Sequence, residues 1–279
     1  MSGICGPDWL RGLVMNARII ENTDVGADHF LLRMAVPGTF ETPMPGQFVM
    51  VRETGRIEPL LGRPFGVYRF EKTKSEARVE ILYKVVGKGT RLFASLKAGD
   101  SLDLFGPYGR PFDVIRDAAT VVLICGGIGV APITNLAACL RDQARGKNTR
   151  TICYYGARTR AHLIGIDRIG KVCDEVVLST DDGSTGFAGQ ITERFAKDVS
   201  SYDAGSRIYA CGPRPMLRQL SGILSGRPTP CQVLMEERMA CGVGACLGCT
   251  VLLKDTCGKG QARVCVDGPV FNINAIRWD

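Results

Sequence analysis

Four cysteines near the C-terminus constrain this chain more than any other feature. Cys241, Cys246 and Cys249 stand in C-x4-C-x2-C spacing, and Cys265 follows with fifteen residues between. Thiolates at this spacing suit a cluster of two irons and two sulfides, whose irons four cysteines hold. Gly242, Gly244 and Gly248 interleave with the cysteines. Lacking a Cβ, they let the loop wrap tightly enough for amide N–H groups to aim at sulfur. On spacing alone Cys257, between Cys249 and Cys265, is an alternative fourth ligand. Zinc fits less well: its sites usually pair two C-x2-C elements or combine cysteine with histidine. Here there is one C-x2-C, and the two histidines, His29 and His162, lie far upstream. A disulfide framework needs an oxidising compartment, and residues 1–10 show neither the basic nor the apolar region of a secretory signal.

At 279 residues the chain suits two domains and a small third. No apolar run reaches the roughly 18 residues of a membrane helix, so no membrane span is expected. The net charge of +7, from 35 basic and 28 acidic residues, is a mild excess. It suits anionic cofactors or an acidic partner, while the absence of a dense Lys/Arg run argues against nucleic acid. Twelve cysteines without a signal peptide fit a reducing cytoplasm. Most of those outside the cluster set, such as Cys139 and Cys153, read as small buried apolar residues.

The first hundred residues alternate short β-rich runs with Gly, Pro and Asp, at 13–20, 29–36, 47–52, 65–70, 79–86 and 101–105. Six runs at this spacing predict an antiparallel β-barrel. Arg63-Pro64-Phe65-Gly66 enters a strand that continues into Val67, and Gly87-Lys88-Gly89-Thr90 precedes a helix-like 91–96. Glycines before a helix N-terminus expose free N–H groups at the positive end of the helix dipole, a pocket for phosphate. An arginine adds bidentate pairing with a pyrophosphate.

From residue 120 the texture becomes α/β. Apolar strand runs at 121–125, 151–155, 175–179 and 207–211 alternate with helical stretches near 162–172, 191–197 and 216–224. This predicts a parallel sheet with helices on both faces, which binds ligands at the carboxyl ends of its strands. Gly126-Gly127-Ile128-Gly129-Val130-Ala131-Pro132 and Cys211-Gly212-Pro213-Arg214-Pro215-Met216 occupy two such ends. Arg158 or Arg160 either meets a 2′-phosphate or is a solvated charge, and Asp181 and Asp182 face a ribose, a flavin edge or only water. Pro-rich connectors divide the chain into 1–111, 112–226 and 227–279. The fold class is thus multidomain: β-barrel, parallel-sheet nucleotide domain, and small [2Fe–2S] module.

Taken together, R-P-F, G-x-G-T and Gly106-Pro107-Tyr108-Gly109, followed by G-G-x-G-x-A-P and C-G-P-x-P-M, resemble the ferredoxin–NADP reductase superfamily. The resemblance implies FAD on Arg63, Pro64, Phe65, Gly66, Val67, Gly87, Gly89 and Thr90. It implies NAD as a mobile acceptor on Gly126, Gly127 and Gly129, with Cys211 and Gly212 beside the nicotinamide. Where many members carry Ser or Thr, this chain has Gly66, which removes a hydroxyl near the flavin.

The run from Glu236 to Cys249, then Val264-Cys265-Val266-Asp267-Gly268-Pro269-Val270-Phe271, is similar to the electron-transfer subunit family of type B, NAD-dependent dihydroorotate dehydrogenase. In that family the cysteine before x-D-G-P-V-F is the fourth cluster ligand, which implies Cys265. The resemblance further implies an FMN-containing catalytic partner subunit, a heterotetramer of two copies of each, a cytoplasmic setting and a role in pyrimidine biosynthesis. The sequence offers no candidate acid or base acting on a substrate carbon, which fits a relay subunit. The alternative is the small subunit of another FAD/[2Fe–2S] reductase, such as an NADH-dependent ferredoxin–NADP reductase or a sulfide dehydrogenase. A non-enzymatic metal-binding or redox-sensing module would leave both nucleotide sites without a purpose.

Overall fold

A computed structural model describes residues 14–55, 60–114, 118–143, 149–254 and 260–278. Cys257 lies outside them. Seven antiparallel strands form the first sheet: β1 (Val14–Gly26), β2 (His29–Pro37), β3 (Phe48–Glu53), β4 (Arg63–Gly66), β5 (Arg69–Lys72), β6 (Glu76–Lys84) and β7 (Ser101–Tyr108). Their order is β4-β3-β7-β1-β2-β6-β5, and helix α1 (Lys88–Ser95) links β6 to β7. Alternating residues such as Ala17, Ile19, Leu32, Met34, Val79 and Ile81 point inward and form one closed core.

The expected single strand over 65–70 is two strands at opposite edges of this sheet. β4 pairs with β3, whereas β5 pairs with β6. Val67 and Tyr68 cross between those edges, and the Tyr68 N–H donates to the Glu80 carbonyl at 2.8 Å. The crossing curls the sheet into a half-barrel and raises the strand count from six to seven.

The second sheet contains β8 (Thr120–Gly126), β9 (Arg150–Ala157), β10 (Glu175–Thr180), β11 (Phe187–Ala188), β12 (Ser206–Cys211), β13 (Cys231–Leu234) and, further on, β16 (Val270–Asn272). Their order is β11-β10-β9-β8-β12-β13-β16. All pairs are parallel except β13 with β16. Four helices accompany the sheet: α2 (Val130–Gln143), α3 (Ile166–Gly170), α4 (Ile191–Asp198) and α5 (Arg214–Ile223). The helix expected over 162–172 is instead a 3-10 turn, Arg160–His162, followed by the short α3. Gly165 at the α3 N-cap has φ +74°, a left-handed conformation that interrupts a continuous helix.

The last strands form a hairpin, β14 (Thr250–Leu252) with β15 (Gln261–Arg263). This segment does not fold apart from the α/β layer. Cys231–Leu234 and Val270–Asn272, both within the stretch 227–279, hydrogen-bond into the second sheet. Ile124 and Ala210 of that sheet share one apolar core with Val251, Val264, Ile273 and Ile276. Removing the Ile124 side chain, which is fully buried, should open a cavity in that shared core. The Ile124→Ala variant is expected to lose about 2–5 kcal/mol of stability by chemical denaturation. Far-UV and near-UV signals should shift together if the core is one unit.

Candidate redox-cofactor sites

A cavity of about 370 Å³ opens between the barrel and the α/β domain. The barrel side contributes Arg63, Pro64, Phe65, Gly66 and Thr90, and the opposite side Ile128, Ala131, Pro132, Glu236 and Met239. Arg63 and the α1 N-terminus, separate in sequence, meet here. A Cβ added at Gly89 would lie 2.7 Å from Arg63 Nε, so the guanidinium lies across a position that only glycine leaves free. Arg63 Nη1 also donates to the Leu61 carbonyl at 2.7 Å, which holds it in place. A Cβ at Gly87 would meet no protein atom, leaving the approach to the helix N-terminus open. Thr90 is the third helical residue rather than the cap. Its hydroxyl accepts from the Val86 and Gly87 amides at 2.9 and 3.1 Å, and so shapes the turn. Phe65 is pinned against Tyr83 and Phe93. Val67 points into the barrel core, 1% exposed, and does not line the cavity. An arginine over an open helix N-terminus beside an apolar slot fits a flavin nucleotide, with charge at the phosphates and carbon around the ring.

A second cavity, also about 370 Å³, lies at the carboxyl ends of the parallel strands. Gly126, Gly127, Ile128, Gly156, Arg158, Asp181, Pro213 and Met216 line it. The two glycine-bearing loops expected there meet because Cys125 and Cys211 are partners in the β8–β12 register. Their approach is tight: a Cβ on Gly129 would lie 2.3 Å from the Cys211 carbonyl, and one on Gly212 2.6 Å from Met216 Cε. Gly129, Cys211 and Gly212 thus pack one loop against the other and set the wall's shape, and Gly126 and Gly127 face the cavity. Burial and the nearby Glu236 push the Cys211 thiol up.

Three lining residues were not singled out by sequence reasoning. Ile128, Lys84 and Glu236 each border both cavities, so the two spaces meet at this point. Glu236 faces that junction, with Oε1 4.0 Å from Cys211 Sγ. Its side chain stays solvent-accessible at this junction, and partial desolvation there raises its carboxyl above the usual carboxylate range. His29 also lines the second cavity from the barrel side. It is the register partner of Lys84, a neighbourhood created by β2–β6 pairing that carries no local sequence signal. Glu236 lay inside the run read for its cysteines, where its place at the end of β13 was not evident.

The cluster cysteines gather as two pairs. The Cys246 amide donates to Cys241 Sγ at 3.4 Å, and the Cys265 amide to Cys249 Sγ at 3.5 Å. The second pair follows from the β14–β15 hairpin, whose Val264 N–H bonds the Cys249 carbonyl. Gly242 and Gly244 have φ of +70° and +82°, which turn the loop around the sulfurs. Among the described residues no three His, Cys, Asp or Glu side chains lie in a metal-holding group. Two thiol pairs nevertheless fit a two-iron cluster, in which bridging sulfides leave each iron two positions for protein. Burial raises the Cys241 thiol, but amides of Val243, Cys246 and Ala245 outweigh it and hold the thiol at about 6. Cys265, 1% exposed, is pushed by burial and then by Cys249 to about 12. The loop leaves the first cavity directly: Met239 lines it, and Cys241 is two positions on.

Three family models match this chain. An oxidoreductase FAD-binding domain matches residues 16–112, an oxidoreductase NAD-binding domain 123–221, and the iron–sulfur cluster binding domain of dihydroorotate dehydrogenase B 236–277. The chain is 37% identical over 254 residues to the dihydroorotate dehydrogenase B (NAD(+)) electron transfer subunit of Clostridium acetobutylicum, covering 91% of this chain and 93% of the relative. It is 33% identical over 266 residues to the same-named subunit of Desulforamulus reducens, covering 95% and 99%. Among solved structures, an NADH-dependent reduced ferredoxin–NADP oxidoreductase superposes with a TM-score of 0.79 at 26% identity, covering 94% of this chain and 90% of that one. Phthalate dioxygenase reductase, at 17% identity and a TM-score of 0.64, covers 92% and 95% and shares the fold.

Two outcomes test the geometry. Gly89→Ala should displace the Arg63 guanidinium rather than backbone. FAD affinity is expected to fall about tenfold or more with loss of a charged hydrogen bond, while the apo protein's thermal midpoint holds or rises because alanine favours the helix. In iron-free protein, Cys241 should alkylate increasingly as pH rises through about 6, since the thiolate is the reactive form. Cys265, a thiol until about pH 12, should lag well behind it by peptide mass spectrometry.

Proposed function

This chain belongs to the family of electron-transfer subunits of type B, NAD-dependent dihydroorotate dehydrogenase, and from that premise we propose its place in a larger enzyme. It receives electrons from an FMN-containing catalytic subunit that oxidises dihydroorotate, and delivers them to NAD in pyrimidine biosynthesis. The working assembly is a heterotetramer of two copies of each subunit, and it acts in the cytoplasm. Outside the cluster set, six cysteines among the described residues are unpaired, which supports that setting, and no described helix is long and apolar enough to cross a membrane.

The observation that carries the reading is the sequence of three adjoining sites. The cluster loop starts at the wall of the flavin cavity, and the flavin cavity joins the dinucleotide cavity at Ile128, Lys84 and Glu236. When bound, the flavin supplies both one-electron and hydride chemistry, which a cluster and a nicotinamide respectively require of it. The chain's own residues do the holding. Arg63 and the α1 N-terminus take the flavin pyrophosphate, and the Gly126–Ile128 turn, backed by Gly129, takes that of the dinucleotide. Cys241, Cys246, Cys249 and Cys265 hold the irons, and N–H···S bonds from Cys246 and Cys265 tune the cluster.

A second reading, the small subunit of an NADH-dependent ferredoxin–NADP reductase, is favoured by the 0.79 superposition on a protein of that name. Purification of the native complex separates the two. The first reading expects an FMN-containing partner in equal amount and NAD reduction that depends on dihydroorotate. A partner without FMN, and no such activity, would move the assignment to the second.

A further inference from the structure

The Val67–Tyr68 peptide unit is held at both ends by different domains. Its carbonyl accepts from Asn135 Nδ2 of α2 at 3.0 Å. Its N–H donates to the Glu80 carbonyl of β6 at 2.8 Å. The neighbouring side chains close the same junction. The Arg168 guanidinium from α3 sits 4.4 Å over the Tyr68 ring and pairs with the Glu80 carboxylate at 2.5 Å. A Cβ at Gly165 would lie 2.6 Å from Tyr68 Oη, so the α/β domain reaches the ring closely. Val67 itself, 1% exposed, is anchored in the barrel core.

This peptide unit directly follows Gly66, which lines the flavin cavity with Pro64 and Phe65. Helix α2, which supplies Asn135, begins where the Gly127–Gly129 turn of the dinucleotide cavity ends. It also supplies Ala131 and Pro132 to the flavin cavity. One helix therefore touches the dinucleotide loop at its first residues and, about one turn later, the residue that directly follows the flavin-backing strand. We propose that Asn135 is a positioning residue for hydride transfer: its amide fixes the Val67 carbonyl so that the flavin-backing strand and the dinucleotide loop keep a set separation. The inference rests on the flavin and dinucleotide reading of the two cavities. Hydride transfer is sensitive to such placement, since a misplacement of about 1 Å can cost on the order of a hundredfold in rate. An interdomain hydrogen bond at a part-buried site, with the carbonyl otherwise losing its partner, is a fitting device for it.

Two near-isosteric variants remove the donor. Asn135→Asp leaves an acceptor facing the Val67 carbonyl, and Asn135→Leu leaves no polar group. In holoprotein, both are expected to slow flavin reduction by NADH at least tenfold in stopped flow. Bound FAD per chain and the rate of cluster reduction by dithionite should stay within about twofold of the parent, because neither depends on this contact. In flavin-free protein, amide exchange over 66–68 should quicken in both variants, and this readout holds whatever the cavities bind. Quickened exchange with an unchanged flavin reduction rate would overturn the positioning role. Unchanged exchange in both variants would overturn the clamp itself. A rate loss matched by an equal loss of FAD or of thermal midpoint would overturn it in favour of general packing.

Discussion

The structure depends on the register of three neighbouring parallel strands. Cys125 of β8, Cys211 of β12 and Leu234 of β13 sit side by side across the sheet. Each is at or within one residue of a strand's carboxyl end, so the chain leaves the sheet three times at one level. The first exit makes the Gly126–Gly129 turn, the second the Cys211–Pro213 turn, and the third leads through Glu236 to the cluster loop. A parallel sheet gathers its carboxyl ends along one edge, which is why such sheets bind ligands there. Here that edge also launches the metal loop, and a relay between carriers becomes a consequence of strand order.

Close approach is the second constraint, and glycine satisfies it in two different ways. At Gly129 and Gly212 the missing Cβ makes room for neighbouring backbone or side chain, so the two loops can lie against each other. At Gly87 and Gly127 a Cβ would strike no protein atom, so the approach to each turn stays open. Gly89 does something else again, because the atom it admits is the guanidinium of Arg63. The same residue type thus serves packing, access and side-chain placement across three loops.

The C-terminal segment is bound into the molecule by apolar burial rather than by a linker. Cys249 and Cys265, 3% and 1% exposed, belong to the core that includes Ile124 and Ala210. Cys246, by contrast, is exposed. One thiol pair is thereby rooted in the protein interior and the other lies toward the surface. On the barrel side, a Cβ at Gly242 would lie 2.9 Å from Met50 Cγ, and a Cβ at Gly109 2.4 Å from Pro269 Cδ. The cluster loop is braced against both larger domains, as carriers that exchange electrons require.

The linear chain already carried the order of flavin, dinucleotide and iron–sulfur regions and most of the elements. Cysteine spacing, glycine-rich turns and hydrophobic periodicity are local signals, and local signals survive in a linear text. The stretches that the fold brings to the cavities and to the thiol pairs, Arg63, Gly87–Thr90, 126–129, 211–216 and the cysteine set, were all visible as such signals. Tertiary structure alone decided the split of 65–70 between two sheet edges, the membership of Cys231–Leu234 and Val270–Asn272 in the second sheet, and the burial of Val67 and Cys211 behind their cavity walls. It also decided which residues border both cavities: Lys84, Ile128 and Glu236. Those outcomes arise from pairing and packing between segments tens of residues apart, whose free energy depends on surfaces that exist only once the chain has folded.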